Sequence, residues 1–283
     1  METIGGVDYM EEYMVKKVLN NNVVIAEKNN KQFVLVGKAI GFNTHKGSKI
    51  SKDRIENIFV KQEEGEHNFN RVLQDIDSEI VGISEEIISL CEKELDEKLS
   101  EAIHVSLTDH INFAINRIEQ GVKIENPFML ELAALYPREY RLAEKALYMI
   151  NTRLSVNLPE DETGFICMHI RAAVSKEKVS SELAYTKKIG EVMDLLSKLL
   201  KKKFDKNSIE YIRTITHINF MLQRVIKKIP IKNYLLDSIK KEMYNEYDLA
   251  IKIALKIENL FSVKIPEDEI GYIALHLRRL SEV

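Results

Sequence analysis

The sequence predicts a multidomain protein in which a small antiparallel β-sheet domain is followed by two all-α helical bundles. Three observations predict this. Residues 14–60 carry short β-branched and aromatic runs separated by Asn and Gly turns. From about residue 73 onward apolar residues recur at helical spacing, and a shift of 107 residues lays much of this helical part on itself.

In the first module the run 23–27 (VVIAE), the turn signal 28–31 (KNNK) and the stretch 32–42 (QFVLVGKAIGF) predict a hairpin and a further strand. Asn20, Asn21 and Asn22, with Gly37, Gly41 and Gly47, punctuate it. Residues 14–61 hold ten Lys and Arg against three acidic residues, a local charge of +7 inside a chain of net −3. A basic module on an acidic remainder points to a polyanionic partner, and equally to a solvated lysine-rich surface. So short a unit has a marginal core alone, and self-association would supply the missing burial.

The polar stretch 62–72 reads as a linker. Beyond it Val81, Ile83, Ile87, Ile88, Cys91 and Leu95 mark a helix face. Domains are expected at 1–61 (core 14–60), 73–174 and 182–283, with a second linker at 175–181. Pro159 and Pro266 each precede three acidic residues, a pattern suited to a helix N-terminus, where carboxylates interact favourably with the dipole.

The repeat is specific. Residues 158–171 (LPEDETGFICMHIR) match 265–278 (IPEDEIGYIALHLR), and 109–117 (DHINFAINR) match 216–224 (THINFMLQR). Over 110–171 against 217–278 there are 23 identities in 62 positions, among them His110 with His217 and His169 with His276. A single histidine at the edge of an apolar helix face is ordinarily structural. Four at matched positions point to a shared use.

Other classes lose support. No apolar run approaches the roughly 18 residues of a spanning helix, so no membrane insertion is expected. The acidic beginning, METIGGVDYMEEY, lacks the basic and apolar regions of a secretory signal. Cys91 and Cys167 sit in apolar helical patterns, which suits free thiols in a reducing cytoplasm. No acidic or cysteine ligand recurs around the histidines at metal-binding spacing, and no phosphate loop or nucleophile motif appears, so no metal, cofactor or catalytic residue is expected. A histidine nitrogen is itself a nucleophile, and a phosphoryl group on it adds nearly two negative charges beside a packed face.

These features together, with 15–26 (VKKVLNNNVVIA) and 34–42 (VLVGKAIGF) in the first module, resemble the BglG/SacY family of transcriptional antiterminators. The segments 120–128 (QGVKIENPF) and 135–140 (LYPREY) look most like its glucose-type or β-glucoside-type members. The resemblance implies a homodimeric domain that grips an mRNA hairpin and prevents an overlapping terminator from forming upstream of sugar phosphotransferase genes. Positions matching the family's RNA-contacting motif are Lys17, Asn22, Gly37, Lys38 and Phe42. Lysines suit phosphates, an asparagine amide suits base edges, and an aromatic ring stacks on an unpaired base. Ala39 departs from the glycine usual in this loop.

The resemblance makes the two copies phosphotransferase-system regulation domains. It makes His110, His169, His217 and His276 phosphate acceptors, with the phosphocarrier HPr and a sugar-specific permease (enzyme II) as donors. His104 is a further candidate. A DNA-binding activator with the same regulation domains would need a helix-turn-helix in place of the strands, and a histidine phosphorelay protein would pass its phosphate onward.

Overall fold

A computed structural model of the chain describes residues 12–60, 75–202, 204 and 208–282. The expected linker at 62–72 and the N-terminal extension before residue 12 lie outside the described residues. Five strands, β1 Glu12–Asn20, β2 Val23–Lys28, β3 Lys31–Val36, β4 Lys49–Ser51 and β5 Asn57–Val60, form one antiparallel sheet in the order β4-β1-β2-β3-β5. The β2–β3 hairpin closes over two residues, Asn29 and Asn30, at φ 52° and 59°. Paired positive φ values give the turn whose twist matches that of the strands, and asparagine tolerates that region.

Strand alternation gives the sheet two apolar faces. One carries Val15, Val24, Ala26, Leu35, Ile40 and Ile50. The other carries Leu19, Val23, Ile25, Val34 and Val36, with Ile76 and Val81 packed on it. The burial a sheet this small lacks is thus supplied from within the chain, by the start of the first long helix. Within the stretch 32–42 the strand stops at Val36, just before Gly37. Ala39 has φ 53°, and 37–48 forms successive turns tied by Gly37 N–H to the Asn22 carbonyl and Gly41 N–H to the Asn21 carbonyl.

Ten α-helices follow among the described residues: α1 Ser78–Leu95, α2 Ala102–Glu119, α3 Met129–Leu135, α4 Pro137–Arg153, α5 Glu162–Ser175, α6 Val179–Leu199, α7 Ile209–Ile226, α8 Leu236–Glu242, α9 Tyr244–Phe261 and α10 Glu267–Glu282. The repeat is therefore five helices, used twice. Asp77 caps α1 by accepting from Glu79 N–H at 2.7 Å, and Ser208 caps α7 by accepting from Tyr211 N–H at 3.2 Å. No helix among the described residues is long and apolar enough to cross a membrane. Cys91 and Cys167 are buried free thiols, and burial pushes the Cys91 thiol up to about 12, with Glu94 and Glu92 adding.

The chain divides into two compact units, residues up to 125 with 141–178, and residues 126–140 with 179–283. In the first, α1 packs on the sheet and on α2, and α2 packs on α5. In the second, α9 packs on α6 and α10, and α8 on α9 and α10, while α3 packs against α6 and α7. There Tyr211 Oη donates to Glu131 at 2.5 Å and Tyr136 Oη to Glu182 at 2.9 Å.

Candidate functional site

Two histidines 59 residues apart meet in each unit. The His110 and His169 rings lie 4.9 Å apart, centroid to centroid, and those of His217 and His276 lie 5.0 Å apart. The first histidine of each pair comes from α2 or α7 and the second from α5 or α10.

A matched Arg–Glu pair underlies each. Arg117, only 7% exposed, pairs with the fully buried Glu162, and Arg224 gives two hydrogen bonds, 2.9 and 2.8 Å, to Glu269, which is also buried. Removing one member of such a buried pair costs about 3–5 kcal/mol, because the other is left as an uncompensated charge. The acidic strings after Pro159 and Pro266 therefore do more than favour a helix dipole. Their last members hold the histidine helices together, Asp268 accepts from Asn233 N–H at 2.8 Å, and Glu267 pairs with Lys240 at 2.5 Å. The helix α10 starts directly after Pro266, whereas α5 begins only at Glu162, after a turn closed by Glu162 N–H on the Pro159 carbonyl.

The two pairs differ in what the carboxylate does. In the first, Glu162 also accepts from His110 Nε2 at 3.0 Å, and His169 Nδ1 is buried with no hydrogen-bond partner among the described residues. Burial, with His110 adding, pulls the pKa of His169 down to about 3. In the second, Arg224 occupies both oxygens of Glu269, and His217 is exposed. Thr214 Oγ1 lies 2.9 Å from His276 Nε2 and gives its one proton to the Glu210 carbonyl at 2.7 Å. It therefore accepts from Nε2–H, which leaves the lone pair of His276 on Nδ1. Burial lowers the pKa of His276 to about 4, with His217, Arg279 and Arg213 adding. His217 is lowered as well, by partial desolvation at the cavity wall and then by Arg213, Arg279 and Arg224. Neutral rings carry the lone pair that a phosphoryl acceptor needs. A cavity of about 410 Å³ opens beside the second pair, lined among others by Thr214, Arg224, Tyr272 and Arg279.

His104 belongs to neither pair. Its Nδ1 lies 2.8 Å from both oxygens of the buried Glu85, and its ring meets Phe59 of β5 edge-on at 4.6 Å. It joins sheet to helices.

The RNA-contact candidates gather around one corner of the sheet. Lys17 on β1 and Lys38 are exposed, and Phe42 is 60% exposed, so it is not a core residue. Gly37 is buried, and a Cβ there would lie 2.2 Å from the Arg54 carbonyl oxygen, so glycine is required by backbone packing. Asn22 is a clasp. Its side-chain oxygen accepts from Ala39 N–H at 2.9 Å and its amide donates to Glu86 of α1 at 3.0 Å. Glu86 also accepts from the Asn20 amide at 2.8 Å and pairs with Arg153 at 3.3 Å. Sequence reasoning missed Glu86 because nothing in its spacing sets it apart from the other glutamates of α1. Arg117, Glu162, Arg224 and Glu269 carried a signal: all four lie at positions identical between the copies. Among the described residues no group of His, Cys, Asp and Glu is arranged to hold a metal.

Comparison with known proteins agrees with this layout. The family described as CAT RNA binding domain matches residues 13–68, and the PRD domain matches twice, at 85–173 and 190–280. Transcription antiterminator LicT of Bacillus subtilis is 34% identical over 271 residues, covering 94% of this chain and 98% of its own length. Protein GlcT of Staphylococcus saprophyticus is 33% identical, covering 96% and 99%. A crystal structure of GlcT CAT-PRDI is 41% identical over 58% of this chain and 98% of its own, with a TM-score of 0.49.

Proposed function

The chain belongs to the BglG/SacY family of transcriptional antiterminators, which join a CAT RNA binding domain to PRD domains, and from that premise we propose how its own residues carry out sugar-controlled read-through. The protein is an RNA-binding antiterminator: it holds an mRNA hairpin so that the overlapping terminator does not form, under control of phosphorylation in its regulation domains. The site assignments are our reading. His110, His169, His217 and His276 receive phosphoryl groups, HPr and a sugar-specific permease are the donors, and the modification is an endpoint rather than a relay. Lys17 and Lys38 bind RNA phosphates, Asn22 reads a base edge and Phe42 stacks, while Gly37 shapes the loop. The active form is a homodimer in the cytoplasm.

The observation that carries this reading is the meeting of the two histidines of each copy at 4.9 and 5.0 Å. Two facing rings over a buried Arg–Glu pair form a site where added charge must rearrange helix packing. In the unmodified chain Asn22 is held by Glu86 of the first regulation domain, so RNA capture requires an exchange of partners, which links the two halves of the mechanism. The test is transcription in vitro across a terminator preceded by its hairpin, with and without a phosphohistidine donor. Read-through that depends on the protein and changes with the donor supports the reading. Read-through indifferent to both removes it.

A further inference from the structure

Arg213 and Arg279 flank the second histidine pair, and the first copy has neither. The 107-residue shift puts Ser106 in the place of Arg213 and Ala172 in the place of Arg279. Arg213 precedes His217 by four residues on α7 and Arg279 follows His276 by three on α10, so each shares a helix face with its histidine. Arg279 lines the cavity together with both rings and Arg224, and both arginines act electrostatically on both rings. Among the described residues Glu269 is the only carboxylate lining that cavity, and Arg224 holds both its oxygens. Among the described residues no carboxylate pairs with Arg213 or Arg279.

The cleft therefore has an excess of cationic groups around a space with partly apolar walls. Guanidinium groups present paired N–H donors that match phosphate oxygens, and such charge-assisted bonds are about twice as strong as neutral ones. The first pair offers the opposite environment, since Glu162 already stands 3.0 Å from His110 Nε2. A dianion there meets a carboxylate, and in the second copy it meets unpaired arginines.

We propose that the cleft of the second copy is a phosphoryl-binding site in which Arg213 and Arg279 hold the dianionic group, whether it is carried by His217 or His276 or arrives as free phosphate. The covalent case rests on the reading of these histidines as acceptors; the free-phosphate case stands without it. In the covalent case the lone pair of a neutral ring nitrogen forms the new P–N bond as the P–N bond of the phosphohistidine donor breaks. The donor ring leaves with the electron pair and takes up a proton, and the acceptor ring releases its remaining N–H proton to solvent, so that protons balance.

The experiment uses the full chain, the double variant Arg213→Ser with Arg279→Ala, which restores the residues of the first copy, and the double variant to lysine. Both arginines are exposed, so the variants are expected to fold, and circular dichroism verifies it. In one arm, inorganic phosphate is titrated while histidine ring resonances are followed. In the other, the phosphohistidine yield at each histidine is measured after exposure to the donor. The site predicts that phosphate shifts His217 and His276 but not His110 and His169. It predicts that the Ser/Ala variant weakens phosphate binding, or lowers phosphohistidine yield at His217 and His276 alone, by about tenfold, and that lysine recovers part of the loss. Arginine-dependent phosphate binding without phosphorylation of any histidine would keep the cleft and reject the acceptor assignment. Phosphate binding and phosphorylation both unchanged in the Ser/Ala variant would overturn the proposal.

Discussion

Asn22, in the two-residue turn between β1 and β2, donates its side-chain amide to Glu86 of α1 at 3.0 Å, so a residue assigned to RNA is bound by a carboxylate of the first regulation domain. Glu86 is nearly buried and also engages Asn20 and Arg153. A carboxylate offers the same kind of acceptor oxygen that a nucleic acid offers, so under the proposed role of Asn22 the contact with Glu86 and the contact with RNA exclude one another.

Replacing Glu86 with Ala is therefore expected to raise hairpin affinity of the unmodified full chain. A hydrogen bond to a charged group contributes about 1.5–3 kcal/mol, and part of that is returned by water, so an increase of roughly threefold to thirtyfold is expected. Fluorescence anisotropy at one fixed salt concentration measures it. Unchanged or weaker binding by a folded variant would show that Glu86 supports the RNA-reading corner instead of blocking it.

Lys17→Ala and Lys38→Ala should each weaken hairpin binding and flatten its salt dependence by about one released counterion. Phe42→Ala should cost about 1–3 kcal/mol of binding with little loss of stability, because the ring is 60% exposed. Gly37→Ala behaves differently, lowering stability first, since its Cβ would collide with the Arg54 carbonyl. Paired denaturation and binding curves separate these cases.

Ala39→Gly is expected to stabilise the sheet. Alanine at φ 53° costs about 1–2 kcal/mol, and glycine gives back about 0.5–1 kcal/mol through the entropy of the unfolded chain. The net gain is about 0.5 kcal/mol, readable as a higher denaturant midpoint at unchanged slope. A lower midpoint would mean that the Ala39 methyl group packs usefully.

Burial depresses His169 to about 3 and His276 to about 4, with His110 and His217 respectively adding. The unfolded chain takes up protons near pH 6.5 that these folded rings refuse. The stability they contribute is full above about pH 6.5 and is lost as pH falls toward 4 and then 3. His104 runs the other way. Burial opposes its charge, but Glu85 outweighs burial through its charge and hydrogen bond and raises the pKa. Its contribution is full below about pH 6.5 and fades as pH rises through the raised value. Ring resonances followed from pH 8 to 5 should show His169 and His276 unchanged. Titration of either near 6.5 would contradict the buried geometry.

Much of this was legible in the sequence. The 107-residue shift showed that the helical part is duplicated, though the compact units do not follow the repeat, since 126–140 join the second, and Asn and Gly placed the turns of the sheet. The matched histidines announced paired sites, and their neighbours Arg117 and Glu162 were visible by the same alignment, though the acidic strings read more simply as helix starts. Gly37 and Gly41 marked the break after Val36, but the ties to Asn21 and Asn22 that fold the following turns were not legible, because they join residues distant in sequence. Glu86 was not legible either, since its role depends on which face of α1 meets the sheet. The packing of α3 against α6 and α7, where its repeat counterpart α8 packs on α9 and α10, has no local sequence signature at all.

The most direct test of the central claim is hairpin binding by the full chain before and after treatment with a phosphohistidine donor, beside a variant with His110, His169, His217 and His276 all changed to Ala. The account predicts a donor-dependent change in RNA affinity for the natural chain and none for the variant, which should still bind RNA through its intact sheet. A donor-dependent change of equal size in the variant, or RNA affinity in the natural chain that ignores phosphorylation altogether, would contradict it.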